Sequence, residues 1–175
     1  MRTYTHFLLL FCLWLLPAAD SLAQPYTLRH LGVEDGLSNN YVRDIAQDRQ
    51  GCIWIATELG LNRFDGCNFT TYKSNNTGLS SDALNVLLYD ETENLLWISG
   101  KFKGICALDC STYRFRSYGE AEGANIDNVV HLSHAANEGI WITMHHGDIV
   151  YYDKRSQTFT SLSDKGIKSL NTSNW

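Results

Sequence analysis

The sequence predicts an all-β fold in which a four-stranded unit of about 43 residues occurs three times. Three tryptophans, Trp54, Trp97 and Trp141, are 43 and 44 residues apart, and each lies in an apolar run. A small-residue turn precedes each tryptophan, and a glycine, an aspartate and an aromatic strand follow it in the same order. Many aromatic residues and only two prolines also favour strands. The recurrence of five landmarks in one order indicates an internal repeat.

Residues 1–23 have the features of a signal peptide and are excluded from the fold prediction. Arg2 is followed by ten apolar residues at 7–16, then Pro17, and small residues at Ser21 and Ala23. The apolar run is shorter than the roughly 20 residues that span a bilayer, and no second run follows. We therefore expect cleavage near Ala23, export to the periplasm, and no membrane anchor in the mature chain.

Each repeat divides into four short strands. In the first, at 36–77, we expect strands at 42–46, 52–57, 61–64 and 69–72, with an Asp- and Gly-containing turn at 48–51. The second repeat is at 78–122 and the third at 123–165, and residues 166–175 begin a truncated fourth. Apolar residues on both faces of a strand predict a sheet that is covered on both sides.

A period of 40–50 residues with four strands is typical of β-propeller blades. A solenoid with one strand per coil would need a shorter period. Because propellers close with roughly four to eight blades, three repeats predict an incomplete propeller. Within residues 24–35, the segment 28–31 precedes Gly36 as 115–118 precede Gly123. We expect it to be an orphan outer strand, of the kind that closes a propeller by pairing with the last blade.

Three segments resemble the two-component regulator propeller repeat: EDGLSNNYV at 34–42, DRQGCIWIAT at 48–57 and GLNRFDG at 60–66. The resemblance extends over essentially the whole mature chain and is closest in the first repeat. It implies the periplasmic sensor region of a hybrid two-component histidine kinase, typical of Bacteroidetes, that senses oligosaccharides. We find no segment that matches the kinase, receiver or DNA-binding parts of such proteins, so we expect no enzyme activity in this chain.

In such a blade, the connections before the first strand and between the second and third strands lie at one end. Ligand contacts are therefore expected from residues in those loops: Asn39, Asn40, Glu58, Lys101, Lys103 and His145. Ordinary solvated turns are the alternative for each. We expect Trp54, Trp97 and Trp141 to be core residues rather than ligand platforms.

No metal or cofactor is expected. His145 and His146, with Asp148 nearby, are adjacent residues whose side chains point to opposite faces of a strand. A disulfide between Cys52 and Cys67 is one hypothesis for an oxidising compartment, and two unlinked thiols are the other.

The net charge of −5 and the absence of a Lys/Arg cluster argue against nucleic acid or an anionic membrane as the main partner. A ligand-sensing module ranks first, a protein-interaction propeller without a small ligand second, and an enzyme third. An isolated three-blade product would leave open sheet edges. It is then expected to associate with the missing blades or with itself, or to be a non-functional truncated product.

Overall fold

The computed structural model describes residues 28–123, 125–136 and 139–163. The expected signal peptide at 1–23 and the expected fourth repeat at 166–175 lie outside these residues. The chain divides into two units, 1–30 and 31–175, and only 28–30 of the first unit are described. Within the described part, no helix has the length and apolar character needed to cross a membrane.

Twelve antiparallel strands form three separate four-stranded sheets, which confirms the predicted all-β propeller-blade fold. Each sheet is one blade, and its strands follow chain order from inner to outer. Blade 1 contains β1 (Val42–Gln47), β2 (Ile53–Thr57), β3 (Gly60–Phe64) and β4 (Phe69–Tyr72). Blade 2 contains β5 (Leu84–Asp90), β6 (Leu95–Gly100), β7 (Ile105–Asp109) and β8 (Arg114–Tyr118). Blade 3 contains β9 (Val129–His134), β10 (Ile140–Met144), β11 (Ile149–Asp153) and β12 (Thr158–Ser161).

The turn between β1 and β2 shows why an aspartate recurs in these repeats. Asp48 is buried, and its carboxylate accepts hydrogen bonds from the backbone N–H groups of Gln50 and Cys52 at 2.9 and 3.0 Å. It also accepts one from Trp54 Nε1 at 2.9 Å. One side chain thus satisfies the turn and orients the indole that follows it, as expected for an Asp in a tight turn.

Two apolar cores lie between neighbouring blades. Trp54 is fully buried in the core between blades 1 and 2, with Leu84 and Leu96 from blade 2. Trp97 is buried in the core between blades 2 and 3, with Ile140 and Ile142 from blade 3. Trp54 and Trp97 therefore each face the blade that follows them in the sequence.

Trp141 lies on the equivalent face of blade 3, the face turned away from blade 2, but it is less buried than the other two tryptophans. It is half-buried, and its ring centroid is 4.8 Å from that of Tyr151 on the adjacent strand. The register pairs these two residues directly. No described sheet covers this face.

A buried polar network connects the loop before β1 to the outer half of blade 1. Asn62 is fully buried, and its Oδ1 accepts hydrogen bonds from Ser38 N at 2.9 Å and Thr71 Oγ1 at 3.0 Å. Its Nδ2 donates to Ser38 Oγ at 2.8 Å, and Ser38 Oγ also lies 2.9 Å from Thr57 Oγ1. The Gly-Leu-Ser and Gly-Leu-Asn segments of the repeat are therefore linked by side-chain hydrogen bonds.

Residues 28–32 form no strand, and Val33–Asp35 form a 3-10 helix that ends at Gly36. The same turn recurs at Glu120–Glu122 before Gly123, directly after β8. The sequence correspondence between 28–31 and 115–118 is therefore matched by a shared turn. We expect residues 28–31 to become an outer strand by pairing with the last blade of a closed propeller. That pairing stays a prediction.

The structure does not contain the Cys52–Cys67 disulfide, because both are free thiols. Ile53 pairs with Phe64 across β2 and β3, which places Cys52 level with Asp65. Cys67 lies two residues further along, in an exposed turn. Cys52 Sγ is instead buried and accepts a hydrogen bond from Arg63 Nη2 at 2.8 Å.

Candidate functional site

The candidate site is the mouth, which we define as the blade end that carries the β2–β3, β6–β7 and β10–β11 turns. Each inner strand has an irregular register where it starts at this end, at Arg43 in β1, Asn85 in β5 and Val130 in β9. A β-bulge redirects a side chain and is common beside functional sites. The backbone irregularity recurs in all three blades, whereas the residue at the bulge changes from blade to blade.

The turns between second and third strands supply a second set of variable residues at the mouth. Glu58, Lys101 and His145 follow their strands at equivalent positions. Backbone hydrogen bonds from Lys101 N to Ala83 O at 2.8 Å and from His145 N to Asn128 O at 2.9 Å tie two of these turns to the loops before β5 and β9. The mouth therefore presents one bulge residue and one turn residue per blade.

Blades 1 and 2 meet at the mouth through a charged cluster of Arg43, Glu58 and Lys101. Arg43 Nη2 donates to Glu58 Oε1, and Lys101 Nζ lies 3.8 Å from the same oxygen. The hydrogen bond from Arg43 and the charge of Lys101 lower the pKa of the Glu58 carboxyl. Glu58 is therefore ionised at neutral pH and holds two cations from neighbouring blades beside it.

An aromatic ring borders this charged cluster. The Arg43 guanidinium carbon lies 4.7 Å from the centroid of the Tyr41 ring, and Tyr41 is 62% exposed. Asn39 Oδ1 accepts from Tyr41 N at 2.6 Å, and Asn40 Oδ1 accepts from Val33 N at 3.0 Å. Asn39 and Asn40 thus order the loop before β1, and their carbonyl oxygens are already engaged.

Blades 2 and 3 form a second part of the mouth around His145. A shallow cavity of about 380 Å³ is lined by Asn85, Asn128, Val129, Val130 and His145. It brings the bulge residues of blades 2 and 3 together with the turn residue of blade 3. Amide and imidazole groups over a small apolar base suit a polar ligand with one apolar side.

His146 lies between two carboxylates on the adjoining surface of blade 3. Its Nδ1 is 3.6 Å from Asp127 Oδ1, and its Nε2 is 3.1 Å from Asp148 Oδ2. Ser163 Oγ donates to Asp148 Oδ1 at 2.7 Å. Over the described ranges, no group of three or more His, Cys, Asp or Glu side chains is arranged to hold a metal ion.

The structure places the six loop residues predicted from the sequence at the mouth but brings only some of them together. Glu58 and Lys101 share one cluster, and His145 lies in the cavity of the next junction. Lys103 is exposed further along the β6–β7 turn, outside the Arg43–Glu58–Lys101 cluster.

Sequence reasoning missed four mouth residues: Tyr41, Arg43, Asn85 and Asn128. Their signal is position, since Arg43 and Asn85 are the second residues of β1 and β5. An alignment of the three repeats on their inner strands would have placed Arg43, Asn85 and Val130 at one equivalent position. Nothing in the sequence pattern marks that place as a bulge, because a bulge depends on the pairing of two strands.

Comparison with known proteins identifies the repeat. The family model described as "Two component regulator propeller" matches residues 36–58, from Gly36 to Glu58. Over 41 residues the chain is 51% identical to Histidine kinase P4 of Formosa agariphila, a match that includes 23% of this chain and 3% of that protein.

Solved structures agree in fold. The extracellular domain of the hybrid two component system BT3049 from B. thetaiotaomicron is 36% identical with a TM-score of 0.69, over 78% of this chain and 20% of that one. The corresponding domain of BT4673 from the same organism is 22% identical with a TM-score of 0.64, over 79% and 20%, and supports the fold alone. The chain spans about a fifth of the length of these two structures.

Proposed function

The chain carries two-component regulator propeller repeats, and on this premise we propose that it forms part of an exported, periplasmic sensor propeller that binds an oligosaccharide at its mouth. In this proposal the signal passes to a kinase outside the present chain. The similarity to the extracellular domain of BT3049 supports the sensor role. The arrangement of variable side chains on a repeated backbone supports ligand recognition at the mouth.

The observation that carries the proposal is the cluster of Tyr41, Arg43, Glu58 and Lys101. An exposed tyrosine ring offers an apolar face to a sugar ring. The adjacent carboxylate and cations offer charge-assisted hydrogen bonds to hydroxyl groups, and these bonds are about twice as strong as neutral ones. Because the ion pairs are already formed within the protein, little side-chain ordering is required on binding.

Binding should be measured on the full chain by isothermal titration calorimetry against a panel of neutral and acidic oligosaccharides. We expect at least one glycan to bind, and Tyr41→Ala and Glu58→Gln each to weaken it about tenfold, the loss of roughly one stacking contact or one charged hydrogen bond. Arg49→Ala is the matched control, because Arg49 is an exposed cation in the β1–β2 turn at the opposite end of blade 1. The proposal fails if no glycan binds, or if Arg49→Ala weakens binding as much as the mouth variants.

A second candidate function is protein association through the face of blade 1 that no described sheet covers. Ile45 is 63% exposed on the face turned away from blade 2, and Ile53 and Ile55 beside it are half-buried. Apolar side chains in a row on an uncovered sheet face favour contact with a further sheet. Light scattering after size exclusion tests this candidate: a monomer that is unchanged by Ile45→Lys contradicts it.

A further inference from the structure

The two junctions between blades are built alike but filled differently. In the first, Tyr113 occupies a left-handed position (φ 57°) in the β7–β8 turn of blade 2 and reaches back over blade 1. Its ring centroid lies 6.2 Å from that of Tyr72, with planes 19° apart, and 6.5 Å from that of Trp54. A phenol ring thus fills the outer part of the first junction.

A guanidinium group also lies over this phenol ring. Arg63, on β3 of blade 1, has its Cζ 5.6 Å from the centroid of the Tyr113 ring. The ring therefore has both aromatic neighbours and a cation close to it, contacts that are favourable for aromatic rings generally. The first junction thus shows that a phenol ring fits in the outer part of the space between two neighbouring blades.

In the second junction both of these groups are replaced by smaller ones. Gln157 has the left-handed position (φ 55°) in the β11–β12 turn, four residues after Asp153 as Tyr113 is four residues after Asp109. Ala107 pairs with Trp97 as Arg63 pairs with Trp54. The space that the tyrosine and arginine take in the first junction is here part of an open groove of about 650 Å³.

The groove has an aromatic base and a basic edge. Tyr118 and Tyr152 are buried at its base, with ring centroids 5.8 Å apart. Arg116 and Arg114 project into it from β8, and the Arg116 guanidinium carbon is 4.7 Å from the centroid of the Tyr118 ring. Arg116 pairs with Ala107 across β7 and β8. The guanidinium group that β3 supplies in the first junction is therefore supplied by β8 in the second.

Two acidic side chains, Glu93 and Asp109, also line the groove. Asp109 Oδ1 accepts from the backbone N–H groups of Ser111 and Thr112, and its Oδ2 accepts from Thr112 Oγ1 at 2.8 Å. These hydrogen bonds lower the pKa of the Asp109 carboxyl and direct its oxygens into its own turn. Among the described residues that line the groove, Arg114 and Arg116 are the cationic ones.

We propose that the groove between blades 2 and 3 binds a small aromatic carboxylate, with its ring in the place that Tyr113 takes in the first junction and its carboxylate paired with Arg116 and Arg114. A guanidinium group stacks on a planar ring and pairs with a carboxylate in the same plane. A volume of about 650 Å³ lies within the usual range of small-molecule sites. This site is separate from the mouth and does not depend on the proposed oligosaccharide binding.

The test uses 4-hydroxybenzoate, which joins the phenol ring of tyrosine to a carboxylate. Binding to the full chain is measured by titration calorimetry, with 4-hydroxybenzamide as the uncharged probe and glucuronate as the probe with a charge but no flat ring. We expect 4-hydroxybenzoate to bind at least tenfold more tightly than either of the others, because it alone supplies both contacts.

Gln157→Tyr is the decisive variant. Tyr113 shows that tyrosine is accommodated at this left-handed turn position, so we expect the variant to fold, to melt at a higher temperature and to lose binding. Gln157→Asn is its matched control, since asparagine tolerates a positive φ and leaves the groove open, and it should bind as the native chain does.

Arg116→Gln is a second variant, on an exposed position of β8, and should weaken 4-hydroxybenzoate binding about tenfold. Tyr41→Ala at the mouth should leave it unchanged. The proposal is overturned if 4-hydroxybenzoate does not bind at millimolar concentration, if the amide or glucuronate binds equally well, or if Gln157→Tyr binds like the native chain.

Discussion

Lys154 of blade 3 places its ammonium against the buried carboxylate of Asp90 in blade 2, so that an ion pair connects two sheets. Both side chains are almost completely buried, at 7% and 1% exposure. Lys154 Nζ also donates to Thr92 Oγ1 at 3.2 Å, and Thr92 donates from N and Oγ1 to Asp90 Oδ1. The equivalent positions of the first junction have Cys110 and Asp48, so this contact is particular to blades 2 and 3.

Removing one member of the Asp90–Lys154 pair should destabilise the chain strongly, because the remaining charge is left buried without compensation. We expect Lys154→Met to lower the free energy of unfolding by about 3–5 kcal/mol, measured by urea denaturation. The double variant Asp90→Leu/Lys154→Met should be much closer to the native chain. A single variant no less stable than the double would contradict this assignment.

The same pair predicts a dependence of stability on pH. Burial raises the pKa of the Asp90 carboxyl, but hydrogen bonds from Lys154 and Thr92 outweigh it, so the pKa lies below its ordinary value. A lowered folded-state pKa adds stability above the unfolded-state pKa of about 3.9, and this stability is lost as the pH falls through the folded-state value. The stability difference between the native chain and Asp90→Asn, measured by urea denaturation, should be full at pH 7 and smaller at pH 3.

Asn62 should be the most sensitive polar position in blade 1. Asn62→Ala removes the hydrogen-bond acceptor of the Ser38 N–H and of the Thr71 hydroxyl, both half-buried. A buried group left without a partner costs about 1–3 kcal/mol. We expect a loss of about 2–4 kcal/mol in the free energy of unfolding. Thr70→Ala, at an exposed position beside Thr71 on β4, should change the free energy of unfolding by no more than about 0.5 kcal/mol. Similar effects of the two substitutions would refute the role given to the network.

Gly104 and Gly66 provide a matched pair, because both have φ values in the left-handed region, +93° and +99°. A Cβ at Gly104 would overlap the carbonyl oxygen of Tyr118, whereas one at Gly66 would meet nothing within 4 Å. Gly66→Ala should cost about 1–2 kcal/mol from backbone strain alone. Gly104→Ala should cost about 3 kcal/mol or more, since overlap adds to strain. Equal melting temperatures of the two variants would show that the close approach at Gly104 is wrong.

The cysteines should differ widely in reactivity. Burial raises the pKa of the Cys106 thiol to about 11, and burial with the charges of Asp48 and Asp109 raises that of Cys110 to about 12. Cys67 is exposed. Because the thiolate is the reactive form, iodoacetamide at pH 8 should modify Cys67 first, and Cys106 and Cys110 only after denaturation. Peptide mapping that finds Cys110 labelled in the folded chain as fast as Cys67 would contradict this burial.

Several parts of the structure follow from the sequence because they depend on local chemistry. The spacing of Trp54 and Trp97 marks the second strands, and the Asp48 turn begins where a tight turn needs a carboxylate. Strand bounds agree closely with expectation: β4 is found as predicted, and β3 begins one residue earlier, at Gly60. Such features involve residues within one repeat, where pattern and structure correspond directly.

The tertiary structure decided the relationships between residues that are far apart in the sequence. The mouth cluster needs a bulge at Arg43 and a contact from Lys101 of the next blade, and neither is encoded by local periodicity. Of the two alternatives for Cys52 and Cys67, the structure has the free thiols. Cys67 lies two residues beyond the position level with Cys52, and this register is set by strand pairing and not by counting from a turn. The groove between blades 2 and 3 exists because Gln157 and Ala107 leave unfilled the space that Tyr113 and Arg63 occupy in the first junction. Repeats determine that blades form, whereas the packing of one blade on the next determines what each position does.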